Sequence, residues 1–192
     1  MLGFLRPVVV MLGLFTVLTG GIYPLAITAL AQLALPSQAN GSMVSREGTI
    51  VGSSLEGQVF TADTYFHGRP SAAGEKGYDG AASSGSNLGP LSKKLLTRVE
   101  GDVATLRQNG AASIPADAVT ASASGLDPHI SPAFAALQVD RVAAARGVAT
   151  ARVREILARQ VQQPVLGVFG EPRVNVLALN LALDASLPPR AG

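Results

Sequence analysis

Cysteine and tryptophan are both absent from this 192-residue chain. Without cysteine there is no disulfide, no thiolate metal site and no thiol nucleophile. Aromatic residues reach only 5%, too few for a large aromatic ligand box. Charge is scarce too, at 15% against about 25% in an ordinary soluble protein. The scarcity lies at the front, where Arg6 is the only charged side chain before Arg46. With Arg6 set aside, 14 basic residues face 13 acidic ones, and no Lys/Arg block of the kind that tracks phosphates occurs. Nucleic-acid binding is not expected. The chain also lacks a Gly-x-Ser-x-Gly elbow and the Asp-Lys-Thr-Gly of a phosphorylating pump, so no catalytic centre of its own is expected.

What the chain does have is a long apolar opening. Pro7 to Leu35 carries no charge and exceeds the roughly 20 residues a helix needs to cross a bilayer. Ala29-Leu30-Ala31 resembles a signal cleavage site, but a signal's apolar core is usually about 7–15 residues, and the longer run fits a retained anchor. Arg6 and the terminal amine on one flank orient residues 1–6 to the cytoplasm and the rest outside. Thr16 and Gly20, spaced i, i+4, would let another helix approach closely. Gly20-Gly21 ahead of Pro24 predicts a bend. The span holds no ionisable residue, so it forms no ion pathway alone and the chain reads as a subunit.

The expected organisation is a transmembrane helix over 7–35, a linker over 36–47 and one mixed α/β extracytoplasmic domain over 48–192. Thr49-Ile50-Val51, Leu55 to Phe60 and Val174 to Asp184 read as strands. Residues 66–90 form a Gly/Ser-rich loop. One helix opens at Pro90, with Leu91, Leu95, Val99, Val103 and Leu106 on one face, and closes at Asn109-Gly110. A second is capped by Ser131, has Pro132 at its first position and runs to Gly147. A third starts at Thr150 and buries Val153, Ile156, Leu157 and Val161.

Candidate chemistry is thin. His67 and His129, each preceded by an aspartate (Asp63, Asp127), could form a metal or acid/base set, but turn formation explains the aspartates better and no metal site is expected. Ser83 to Pro90 is a Gly/Ser loop running into a helix N-terminus, able to meet an anion through its amides but without the phosphate-loop Gly-Lys-Ser/Thr. Arg69, Asp127 and Arg173 each sit in a Gly/Pro turn that displays a charge in a fixed direction, as a docking surface requires.

Six stretches occur in a fixed order: TGGIYPL (19–25), GSSLEGQVF (52–60), YFHGRPSA (65–72), SSGSNLGP (83–90), TASASGLDPHISP (120–132) and GEPRVNVLALNLALD (170–184). Together they closely resemble the C subunit of the Kdp potassium-transporting P-type ATPase of bacteria. The resemblance implies an accessory chain in a high-affinity, ATP-driven potassium import complex of the inner membrane. Its partners there are a channel-like potassium-binding subunit, an ATP-hydrolysing P-type subunit, a small single-span peptide and the lipid bilayer. In that family the C chain serves assembly and raises the ATP affinity of the hydrolysing subunit. Ser83, Ser84, Gly85, Ser86, Asn87 and Gln138 are the positions matching a nucleotide contact, with ATP as the implied ligand. A domain outside the membrane does not meet cytoplasmic ATP, so the effect would be transmitted through the complex. A membrane-anchored nucleotide-binding regulator and a stand-alone periplasmic binding module are the alternatives.

Overall fold

In a computed structural model, residues 2–187 are described; Met1 and residues 188–192, the far ends of the expected cytoplasmic arm and outer domain, lie outside the described residues. The chain divides into two compact units, with the boundary in sequence between Val51 and Gly52.

The first unit begins with one continuous apolar helical stretch, Leu5–Ala34, of 30 residues and mean hydropathy 2.0, long and apolar enough to cross a membrane. At about 1.5 Å per residue it outreaches a ~30 Å hydrocarbon core. It is built from α1 (Leu5–Val17), a π-helical turn (Leu18–Ile22) and α2 (Tyr23–Ala34). The π turn falls on the Gly20-Gly21 pair beside Pro24, where a bend was expected: proline has no N–H to continue the ladder, and a widened turn absorbs the mismatch. Instead of a plain linker, a short α3 (Pro36–Ala39) follows, then β1 (Met43–Arg46) and β2 (Thr49–Ser53), which pair as a hairpin. Gln32 and Asn40 exchange two amide hydrogen bonds, at 3.2 and 3.1 Å, tying the end of α2 to the end of α3.

The second unit is mixed α/β. Its helices are α4 (Lys93–Gln108), α5 (Pro132–Arg146), α6 (Thr150–Gln160) and α7 (Val176–Ser186). A small antiparallel sheet runs β3-β5-β4, from β3 (His129–Ile130), β4 (Val161–Gln162) and β5 (Arg173–Asn175). His129 faces Asn175, and Val174 lies between Ile130 and Val161. α5 follows its sequence signals: Ser131 Oγ accepts from Phe134 N at 3.0 Å, and Gly147 closes the helix at φ 63°. The core joins Val139 and Val142 of α5, Val153 and Leu157 of α6, and Leu179 and Leu183 of α7 over Val174 and Phe66. Each such side chain contributes about 1.5–3 kcal/mol on burial.

Three expectations change. Val174 to Asp184 is strand only as far as Asn175 and then helix. Leucines at 177, 179, 181 and 183 satisfy a period of two, but Val176, Leu179, Asn180 and Leu183 also line one helical face, and Asn175 Oδ1 caps the helix by accepting from Ala178 N at 3.0 Å. Leu55 to Phe60 is no strand: no ladder forms there, and Gly57 N donates instead to Leu126 O at 2.8 Å. α4 starts at Lys93 rather than Pro90, leaving Leu91 exposed, although Leu95, Val99, Val103 and Leu106 do form its half-buried face. Smaller shifts put Thr150 inside α6 rather than at its cap and Val161 in β4.

Candidate functional site

The segment 62–69 crosses the second unit without joining any sheet, and side chains from the helices bind its backbone. Arg141 donates to Asp63 O (2.7 Å) and Tyr65 O (3.0 Å), and Arg146 Nε donates to Thr64 O (2.7 Å). Asn180 accepts from Phe66 N at 2.8 Å and donates to Phe66 O at 3.0 Å. Gln138 does the same for His67, at 2.8 and 3.1 Å. The guanidinium of Arg146, fully buried, also meets Asp184 at 2.9 Å and Leu187 O at 2.6 Å. The N–H and carbonyl of Phe66, both buried, would otherwise be stranded away from water.

That clamp presents Arg69 at its end. Arg69 Nη1 pairs with Asp127 Oδ2 at 3.0 Å, and Asp127 Oδ1 accepts from His129 N at 3.0 Å with His129 Nδ1 at 3.5 Å. Tyr78 donates its hydroxyl to Arg69 O at 2.8 Å. The fit is tight, since a Cβ at Gly68 would run into the Tyr78 hydroxyl. Burial would raise the Asp127 carboxyl, but hydrogen bonds from His129 and Arg69 outweigh it and hold the group at about 2. Burial and the Asp127 charge push Tyr78 up to about 12, with Arg69 opposing, so it remains a donor.

Arg69, Asp127 and Arg173 line one open cleft of about 630 Å³, together with His129, Asp117 and Glu171. The structure thus brings together three charges that the sequence placed on separate turns. Arg173 Nε reaches Gln162 at 3.2 Å, and Asp117 holds Ser131 N and Oγ at 2.7 and 2.9 Å.

The chain matches the K+-transporting ATPase, c chain, over residues 5–185. It is 60% identical to the potassium-transporting ATPase KdpC subunit of Caulobacter vibrioides over 193 residues, spanning 100% of this chain and 98% of that protein. Its identity to the proteins of the same description is 55% over 187 residues in Gemmatimonas aurantiaca (96% of this chain, 94% of that one) and 53% over 194 in Polaromonas naphthalenivorans (100% and 99%). This chain belongs to the KdpC family. It is a subunit of the potassium-transporting ATPase, as the sequence resemblance implied.

The six positions expected from the resemblance to make a nucleotide contact fall in two places. Ser83 Oγ and Ser84 N both hold Ser124 O, at 2.9 and 3.0 Å, and a Cβ at Gly85 would stand 2.8 Å from Ala123 O, so this loop packs backbone to backbone. Asn87 takes φ 50°. Gly85 and Ser86 line a cavity of about 280 Å³ with Lys94 and Arg98. Gln138 lines a different cavity, of about 240 Å³, with its amide committed to His67. Thr16 and Gly20 are exposed on the apolar helix.

His67 turns its Nε2 to Ala62 O at 3.2 Å, while Asp63 meets Arg141, so the first His/Asp pair does not form. Tyr78, Asn180, Arg141 and Arg146 went unread in the sequence as positioning residues. Asn180 did carry a signal, as a lone amide in an otherwise apolar run, because a buried amide demands partners.

Proposed function

We propose that this chain is the non-catalytic docking subunit of the pump. Its apolar helix spans the bacterial inner membrane with residues 1–6 in the cytoplasm, and the domain from residue 48 onward stands outside, on the channel-like potassium-binding subunit. The ATP-hydrolysing subunit and the small single-span peptide complete the complex. Favouring one conformational state of these partners raises the apparent ATP affinity of the hydrolysing subunit without any contact with ATP.

The observation that carries this reading is the Arg69–Asp127 pair in its open cleft. Both charges are held by neighbours, and Asp127 is too acidic to serve as a base near neutral pH. Fixed charges of both signs on rigid turns suit recognition of a protein surface. Within the membrane, Thr16 and Gly20 offer a close approach to a partner helix.

Co-purification of the four-chain complex tests it. Arg69→Ala and Asp127→Ala should each weaken retention of this chain, and Gly20→Ile should do so with the domain intact. Unchanged retention in all three would sink the docking reading. Protease treatment of intact spheroplasts should cleave the domain, whereas protection until lysis would reverse the orientation.

A second reading, a direct nucleotide regulator, draws on the cavity where Ser86 meets Lys94 and Arg98. It requires ATP binding by the isolated full chain that Ser86→Ala or Lys94→Ala reduces. Absence of any binding at millimolar ATP would eliminate it.

A further inference from the structure

The stretch 161–170 (VQQPVLGVFG) contains no charged side chain. Beyond β4 it closes into a tight hairpin: Val165 N donates to Phe169 O at 2.9 Å and Phe169 N to Val165 O at 3.0 Å. Val168 N also donates to Val165 O at 3.2 Å, and the two residues between them, Leu166 (φ 54°) and Gly167 (φ 72°), are both in the left-handed region. That turn favours Asn-Gly, and leucine is a poor choice at its first position. A bulky apolar residue therefore stands where the turn itself asks for a small polar one. The four apolar side chains of the tip are well exposed: Val165 62%, Leu166 85%, Val168 76% and Phe169 67%.

The surroundings indicate what covers them. The hairpin springs from β4, whose Gln162 accepts from Arg173, and it returns through Glu171 and Arg173, which line the Arg69–Asp127 cleft. The tip ends at Phe169 and the cleft lining resumes at Glu171, so apolar side chains and charges of both signs follow one another along the chain, the combination from which protein–protein interfaces are built. A lipid headgroup surface selects basic residues and Trp or Tyr at such a tip, and this one has none. Membership of a pump subunit family supplies protein partners.

Resting on the docking reading of the cleft, we infer that the 164–169 hairpin is the apolar anchor of this chain on another subunit of the pump. The site it enters is an apolar pocket on the extramembrane surface of that subunit, edged by a carboxylate opposite Arg173 and a basic group opposite Glu171. The anchor holds the contact and the cleft charges set its register.

Hydroxyl-radical footprinting compares the chain alone in lipid nanodiscs with the assembled complex. Leu166 and Phe169 should be protected in the complex and reactive in the nanodisc alone. The double substitution Leu166→Asn/Phe169→Thr makes the turn Asn-Gly and leaves the hairpin bonds intact, so the melting temperature should hold while retention in the complex falls at least about tenfold. Protection by lipid alone would assign the tip to the bilayer, and concentration-dependent protection of the chain alone would assign it to a second copy. Either overturns the inference, as does a reactive tip in the complex. If Arg69→Ala and Asp127→Ala weaken retention while the tip stays reactive, the anchor fails and the cleft reading survives. If the tip is protected and the double variant is lost while both cleft variants bind normally, the cleft reading fails and the anchor stands.

Discussion

Gln138 holds His67 as a neighbouring strand would, its Oε1 accepting from the backbone N–H and its Nε2 donating to the backbone carbonyl of the same residue. Gln138→Leu keeps the volume and strands both groups, each costing about 1–3 kcal/mol when left unsatisfied. Chemical unfolding of the full chain should show a loss of about 2–4 kcal/mol, with Gln138→Glu intermediate. An unchanged midpoint would mean that water or a local shift replaces the clamp.

Arg146 should be the least replaceable charge in the domain. Its guanidinium, fully buried, serves two carbonyls and Asp184, so Arg146→Met removes the counter-charge from a carboxylate only 13% exposed, which keeps the Tyr65 hydroxyl. The expected cost is about 3–5 kcal/mol. Arg146→Lys should not rescue, because an ammonium cannot reach three acceptors in one plane. Thermal melts of the three proteins decide it.

The Asp127 carboxyl, at about 2 in the folded chain against 3.8 ordinarily, binds its proton less readily folded than unfolded. Its contribution is therefore complete above about pH 4 and is lost as pH falls toward 2. The difference in melting temperature between the parent and Asp127→Asn should shrink steadily across that window. A constant difference down to pH 2 would contradict the assignment.

Burial and the nearby Arg141 charge lower the pKa of His67 below its ordinary 6.5, with the Ala62 carbonyl and Asp63 opposing. The folded state thus prefers the neutral ring, and stability should begin to fall as pH drops through 6.5. An NMR titration of the ring protons should give a midpoint below 6.5, and a midpoint at or above it would contradict the burial.

Gly68→Ala tests the floor beneath Arg69. A methyl there collides with the Tyr78 hydroxyl, which must release the Arg69 carbonyl. The expected cost is about 1–3 kcal/mol, and Tyr78→Phe, losing only the hydrogen bond, should cost about 0.5–1.5 kcal/mol. Equal effects of the two would mean that the collision is relieved elsewhere.

Local signals carried the sequence reading furthest. Ser131, Pro132 and Gly147 delimit α5 because caps act within one turn of the residue that makes them. The Gly20-Gly21-Pro24 cluster, from which a bend was expected, marks the place where the helix widens into a π turn. α7 was misread because its leucines satisfy two periods at once, and only the roles of Asn175 and Asn180, set by distant partners, separate them. Arg69 and Asp127 stood out individually as turn charges, but they lie 58 residues apart and no local pattern announces their pairing. Tyr78 lay inside a Gly/Ser-rich loop and gave no sign of the carbonyl it would hold.

The clamp also sets a timetable. Phe66 waits for Asn180, 114 residues later, and Tyr65 for Asp184, 119 residues later. Synthesis proceeds from the N-terminus, so the 62–69 segment is made early and stays without its final partners until α7 has emerged. For that interval the Phe66 backbone relies on water for its hydrogen bonds, with the membrane helix already made. Contacts this distant in sequence close slowly. A nascent chain cut anywhere before residue 180 would lack the clamp on Phe66, so α7 works as the latch on a segment laid down 114 residues earlier.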